Sequence, residues 1–207
     1  MTSKPRTPAA AVQSASSHAA AVQSASPRTN AACAVAQERR VSFIPMTAAH
    51  VPVIAELEKA AYTHPWTRNN LQDAVLHHNH AQLLVSEPLP GELATWHTAT
   101  GEVVVGYFVA MMGVDEAHLL NITVAPQYRR QGWATVMLQA LAVWAQGRGA
   151  QTLWLEVRQS NEGAKALYRA LQFEDIGVRK RYYPLNNQAR EDAQVMRLPL
   201  ADWRMPK

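Results

Sequence analysis

The stretch Leu119 to Ala134, LLNITVAPQYRRQGWA, concentrates residues that could do chemistry. Leu119, Leu120, Ile122 and Val124 read as a strand, Pro126 as a turn, and a helical pattern begins at Trp133. Between strand and helix stand Arg129, Arg130, Gln131 and Gly132. The first N–H groups of a helix have no partners within it, and the helix dipole adds positive character there. A pyrophosphate fits such a turn, and Gly132 lets it approach the backbone. Glu156 is a second candidate. It places a charge inside the apolar run LWLEV, where it must be exposed or paired, and Arg158 is a partner at hand. Tyr168, on the helix that follows, carries a phenolic proton. It also lies on that helix's apolar stripe, and a buried ring with its hydroxyl at a site satisfies both readings. Asn161, in RQSNEGA, stands where an N-cap is expected; its alternative role is an amide contact to a ligand.

These residues need a scaffold, and the pattern of apolar residues predicts one. Val41–Ile44 reads as a first strand. Thr47–Ala61 has helical spacing, with Val51, Ile54, Leu57 and Ala61 on one face and Thr47 as N-cap. A second helix runs from about Thr67 to His77. Strands follow at Ala81–Val85, Val103–Met112 and Ala117–Val124, with a loop over 86–100. Trp133–Ala145 reads as a buried helix, Gln151–Arg158 as an alternating strand and Asn161–Leu171 as an amphipathic helix. Val178–Tyr183 and Ala193–Leu198 close the chain as strands around a loop with Asn186 and Asn187. The order β-α-α-β-β-β-α-β-α-β-β is that of an α/β layer fold with a mixed sheet.

Composition narrows the classes. Hydrophobic residues make up 48% of the 207, enough for a core in one domain. No apolar run is long enough to span a bilayer. Residues 1–40 read as a disordered extension: AAAVQSAS occurs at 9–16 and again at 19–26, with few large apolar groups. Scarce acids there also resemble an organellar transit peptide. Its five basic residues against Glu38 alone account for the whole net charge of +4. The remainder, 41–207, is neutral, so direct nucleic-acid binding is not expected. A single cysteine, Cys33, permits no internal disulfide and fits a reducing compartment. The run His77-His78-Asn79-His80 lacks the spacing and partner set of a metal site. The six tryptophans are expected in the core or in groove walls.

GxxxxGK[ST] and GxGxxG are both absent, which argues against P-loop and dinucleotide folds. The segment Arg129-Arg130-Gln131-Gly132-Trp133-Ala134 resembles instead the Q/R-x-x-G-x-G/A turn of the GNAT acetyltransferases. HPWT (64–67), LLNITVAPQYRRQGWA, TLWLEVRQSNEGAKALY and RYYPLNNQAREDAQVM resemble in particular the RimI-type ribosomal-protein-alanine N-acetyltransferases, over residues 41–200. The resemblance implies a GNAT fold and acetyl-coenzyme A as cosubstrate, with no metal. It implies Glu156 as general base and Tyr168 as general acid, for acetyl transfer needs an unprotonated amine and a protonated leaving thiolate. A free α-amine titrates at roughly 7.7–8.0 against about 10.4 for lysine. The strand Ile122, Thr123 and Val124 would pair its backbone with the pantetheine. Arg129, Arg130, Gln131, Gly132, Trp133, Ala134 and Thr135 would cradle the pyrophosphate, with Asn161 a further contact. The implied acceptor is the N-terminal alanine of a small-subunit ribosomal protein. Its peptide would lie between residues 64–67 and the RYYP hairpin, against Tyr182, Tyr183, Glu191 and Asp192. A cytoplasmic monomer acting without membrane or nucleic acid is expected. The alternatives are a GNAT enzyme acting on lysines or small amines, and a non-catalytic coenzyme-A-binding regulator. The long loop 86–100 and the extension depart from the family pattern.

Overall fold

Seven strands form one sheet in the order β1-β2-β3-β4-β5-β7-β6. They are β1 (Val41–Pro45), β2 (His80–Ser86), β3 (Val103–Met112), β4 (Glu116–Val124), β5 (Thr152–Arg158), β6 (Glu174–Pro184) and β7 (Arg190–Pro199). The α-helices are α1 (Val51–Ala61), α2 (Arg68–Leu76), α3 (Trp133–Gly147) and α4 (Glu162–Ala170). This computed structural model describes residues 39–77, 79–185 and 189–205. The repeats of the extension, Cys33, His78, Asn186 and Asn187 lie outside the described residues.

The order of elements is the expected one, and the sheet is mixed. Every neighbouring pair is antiparallel except β4 with β5. A parallel pair needs a long crossover, and α3 supplies it. Because α3 packs on β3 and β4, its Met137, Leu138, Leu141 and Ala145 are buried. The first eight residues of β3 are buried too, as their unbroken apolar run requires.

Three elements differ from the sequence reading, β7 by beginning three residues early, at Arg190. Residues 48–50 form a 3₁₀ turn ahead of α1 rather than its first turn. Pro52 has no N–H to give the Ala48 carbonyl, so the Val51 N–H takes it instead and tightens the turn. β6 begins four residues earlier than expected, at Glu174. Nearly all of it is exposed, so no alternation of apolar and polar residues announces it.

An irregularity in β4 creates the main feature of the sheet. Leu119 pairs with Ala110 and Asn121 with Val109, which leaves Leu120 as an extra residue. Such a bulge bends its strand. β4 pairs with β5 only from Glu116 to Leu119, opposite Thr152 to Leu155. Beyond Leu119 the two strands diverge, and a gap opens in the middle of the sheet.

Candidate active site

The gap is lined on one side by the end of β4. The Ala125 N–H donates to the Val105 carbonyl at 2.9 Å. Backbone groups alternate along a strand, so Thr123 also faces β3 while Ile122 and Val124 face the gap. The Tyr62 hydroxyl donates to the Ile122 carbonyl at 3.1 Å, and Arg129 Nε to the Val124 carbonyl at 3.4 Å. What these two residues offer a ligand is therefore their N–H groups. Thr123 turns its backbone toward β3, and the backbone edges of Ile122 and Val124 face the gap.

On the opposite side, Glu156 lies one residue past the last β5 position paired with β4. Its side chain is only 7% exposed and meets Arg179 Nη1 at 2.9 Å through Oε1. Burial pushes its carboxyl up, and Arg179 and then His118 pull it part of the way back. The partner is thus Arg179 on β6 and not Arg158, which pairs with Glu191 at 3.1 Å. The Tyr183 hydroxyl donates to the Glu156 carbonyl at 2.9 Å and braces the strand beneath the carboxylate.

Tyr168 on α4 is buried, in tilted contact with Phe173. Burial, with Tyr62 nearby, holds its phenol well above the usual tyrosine range. At neutral pH it keeps its proton and can donate it.

The sequence reading missed a buried polar cluster beside β4. Glu58 is fully buried on α1. It accepts from the Thr123 hydroxyl at 2.7 Å and from the Trp66 N–H at 2.9 Å. Burial pushes its carboxyl up against these hydrogen bonds. One carboxylate therefore ties the 64–67 loop to the strand of the gap. The signal was present: Glu58 follows Val51 by seven and Ile54 by four, so it sits on the apolar stripe of α1. Tyr62 continues the same face, and its hydroxyl stands 3.1 Å from that of Thr123.

The turn after β4 has the backbone of an anion cradle. Arg130 has φ 63° and Gly132 φ 87°, a left-handed geometry that gathers neighbouring N–H groups. No side chain caps α3, so its first N–H groups are left without partners in the helix. A Cβ on Gly132 would meet nothing within 4 Å; the glycine serves its backbone conformation rather than clearance from the protein. The side chains divide differently from the expectation. Arg129 donates inward, to the carbonyls of Val124 and Ala61. Gln131 bonds the Gln127 carbonyl and receives the Trp133 indole N–H, while Trp133 is buried. These three side chains brace the turn. Arg130 is exposed, Ala134 and Thr135 half-buried.

Asn161 performs the first of its two expected roles and is free for the second. Its Oδ1 caps α4 by accepting the Ala164 N–H at 3.1 Å. Its Nδ2 is buried without a hydrogen-bond partner. An orphaned buried amide calls for an acceptor, which a coenzyme could supply.

On the acceptor side, Trp66 packs with Tyr182, Tyr183 and Ala193, so the 64–67 loop and the RYYP hairpin do meet. Glu191 and Asp192 are not free to greet a basic peptide. Glu191 takes Arg158 and the Ser160 N–H; Asp192 takes Lys180 and the Arg181 N–H. Tyr183 is likewise committed beneath Glu156, and Tyr182 is half-buried, with Arg179 over its ring. In the histidine run, His77 Nδ1 lies 2.8 Å from the Asp73 carbonyl and His80 stacks on Trp144 with centroids 3.9 Å apart. Among the described residues, no group of three or more metal-ligating side chains converges. No helix of these residues is long and apolar enough to cross a membrane.

The 86–100 loop docks beside the anion turn. Tyr128, immediately before Arg129, donates its hydroxyl to Glu92 Oε1 at 2.6 Å. Arg39 bonds the same oxygen, bonds Ser86 Oγ at 2.6 Å and lies 4.8 Å over the Tyr128 ring. Burial alone would raise Glu92, but the Leu89 N–H, Tyr128 and Arg39 together hold it below the usual range. Because its folded value is depressed, the clamp contributes stability above the ordinary glutamate range and loses it as pH falls through the folded value. Glu92→Ala is expected to cost about 3 kcal/mol, since it strands the buried Arg39, and to raise KM for acetyl-coenzyme A more than it lowers kcat. Thermal melting and steady-state kinetics check this; an unchanged KM would separate the clamp from the turn.

The acetyltransferase (GNAT) family pattern matches residues 51–173. The chain is 36% identical to the [ribosomal protein bS18]-alanine N-acetyltransferase of Haemophilus ducreyi, over 70% of this chain and 90% of that one. It is 34% identical to the protein of the same name from Escherichia coli K12, over 73% and 92%. The crystal structure of the ribosomal-protein-S18-alanine N-acetyltransferase from Escherichia coli superposes with a TM-score of 0.65 at 29% identity, covering 81% of this chain and 99% of that one. The chain belongs to the GNAT acetyltransferases, in the group of RimI-type ribosomal-protein-alanine N-acetyltransferases.

Proposed function

We propose that this protein transfers the acetyl group of acetyl-coenzyme A directly to the α-amine of a protein N-terminus, with the N-terminal alanine of a small-subunit ribosomal protein as its acceptor. The observation that carries the reading is the placement of the buried Glu156 carboxylate across the gap from the ligand-facing N–H groups of Ile122 and Val124. In this reading the anion turn, from Arg129 to Thr135, holds the pyrophosphate through its backbone, and the Asn161 amide reaches the coenzyme. The Val124 N–H polarises the thioester carbonyl. Glu156, through one water, accepts the proton of the amine as the N–C bond forms. Tyr168 gives its proton to sulfur as the C–S bond breaks. The acceptor alanine is supported by the names of the bacterial relatives and by the meeting of the 64–67 loop with the hairpin. We place this chemistry in residues 39–205, Arg39 included because it clamps Glu92 beside the anion turn.

The test is incubation with acetyl-coenzyme A and a peptide copying the ribosomal N-terminus, with the acetyl group located by mass spectrometry. Acetyl on the α-amine is expected. Acetyl on lysine alone would move the protein to side-chain chemistry, and coenzyme binding with no transfer would support a regulator. Tyr168→Phe is expected to slow turnover on the order of a hundredfold with coenzyme affinity preserved. Loss of affinity in calorimetry would make Tyr168 structural.

A further inference from the structure

Among the described residues, Arg179 is the charged side chain recorded in direct contact with the Glu156 carboxylate, and its position follows from the register of three strands. Arg158, Ala193 and Arg179 stand in one row across β5, β7 and β6. Glu156 is two residues from Arg158 on the same face. Arg179 therefore reaches Glu156 diagonally across β7, and it crosses at Ala193, whose methyl leaves room for the guanidinium. The arginine side chain remains 52% exposed, and its guanidinium carbon lies 5.5 Å from the centroid of the Tyr182 ring. It is held between the hairpin aromatic and the buried carboxylate. Its contact is to Oε1.

We propose that Arg179 is a positioning residue for the transfer step: by pairing with Glu156 Oε1 from above Ala193, it fixes the carboxylate as a charged group with Oε2 turned to the gap. The proposal rests on the reading of Glu156 as the proton acceptor. The charged and titratable neighbours are few. His118 on β4 acts on Glu156 in the same sense as Arg179 but more weakly. Arg158, on the strand of Glu156, is committed to Glu191. Tyr168 on α4 and Tyr62 after α1 stay neutral because burial holds their phenols up. Removing Arg179 leaves burial opposed by His118 alone, and the carboxylate then takes up its proton at a higher pH. The incoming amine loses a base at the pH where most of it is protonated.

The experiment compares kcat/KM against pH for the full chain, Arg179→Met, Arg179→Lys and Glu156→Gln, each corrected for ionisation of the peptide amine. Arg179→Met is expected to lower kcat/KM progressively as pH falls below neutrality, by at most about tenfold for each pKa unit gained by the carboxyl, and to approach the parent protein at pH 9. Arg179→Lys is expected to restore most of the difference, with KM for acetyl-coenzyme A unchanged. A loss equal at every pH, unrescued by lysine, would overturn the proposal in favour of a plain structural or peptide-binding role. A profile superimposable on the parent would overturn it outright. Glu156→Gln separates the two layers: if it has parent activity the base reading fails, whereas if it is impaired and Arg179→Met is not, only the role of Arg179 fails.

Discussion

Glu156→Gln is expected to lower kcat/KM for a peptide α-amine by about 10²–10⁴-fold at neutral pH, the usual contribution of a positioned general base. Glutamine keeps the size of the side chain, and its amide oxygen can still accept from Arg179 Nη1, which now stands 2.9 Å from the carboxylate. The neutral amide also removes a buried charge, so no folding penalty is expected from desolvation. The defect is therefore chemical. It should shrink as pH rises through the titration of the amine, roughly 7.7–8.0 for an α-amino group, because a neutral amine asks less of the base. Release of coenzyme A thiol, followed at several pH values, gives the rate, and calorimetry gives the affinity for acetyl-coenzyme A. A deficit of threefold or less, or one constant across pH, would sink the assignment. A parallel loss of coenzyme affinity would show that the substitution had disturbed the gap itself.

Gly106→Ala is the second large effect, and it works through the backbone. Gly106 lies on β3 opposite Val124. A Cβ there would fall 2.5 Å from the Thr123 carbonyl oxygen, 3.0 Å from Met137 Cε and 3.3 Å from Val124 Cα. The methionine end can move, but the two backbone atoms cannot without dragging β4 outwards. Overpacking of this kind costs about 1–3 kcal/mol, which for a chain of this size is roughly 2–12 °C in Tm. The displaced atoms belong to the residues that face the gap and to Thr123, whose hydroxyl holds Glu58. Coenzyme affinity is expected to fall at least about tenfold even in protein that remains folded. Differential scanning calorimetry and a coenzyme titration read the two effects separately. Parent values of both in the alanine variant would mean that β4 yields more easily than its packing implies.

Much of this was legible because it is written in apolar periodicity. β3, β4 and α3 are buried runs, and their order alone led to the mixed sheet. Glu156 and Tyr168 drew attention as polar groups on apolar elements, and both are buried. What stayed hidden depended on contacts between distant segments. Arg179 looks like one cation among several in VRKRYY, and only the register across Ala193 brings it to Glu156. Glu191 and Asp192 looked available because sequence does not reveal that Arg158 and Lys180 already hold them. The side-chain contacts of the turn were not legible: Arg129 donates to the distant carbonyls of Val124 and Ala61, and the Trp133 indole to Gln131. Asn161 posed a choice between cap and ligand contact, and its two ends divide the work, with Oδ1 on the helix and Nδ2 unpartnered. Glu58 could have been found from its place on the α1 stripe, had a carboxylate at a core position been treated as a signal.

The short pairing of β4 with β5 has a mechanical meaning. Four residue pairs join these strands, fewer than at any other joint of the sheet, so it resembles two leaves bound along a narrow spine. β1–β4 form one leaf and β5–β7 the other. A ligand that bonds to the free edge of β4 lengthens the binding between the leaves. The angle at which the molecule stands open, and its stiffness, are then properties of the loaded protein as much as of the chain.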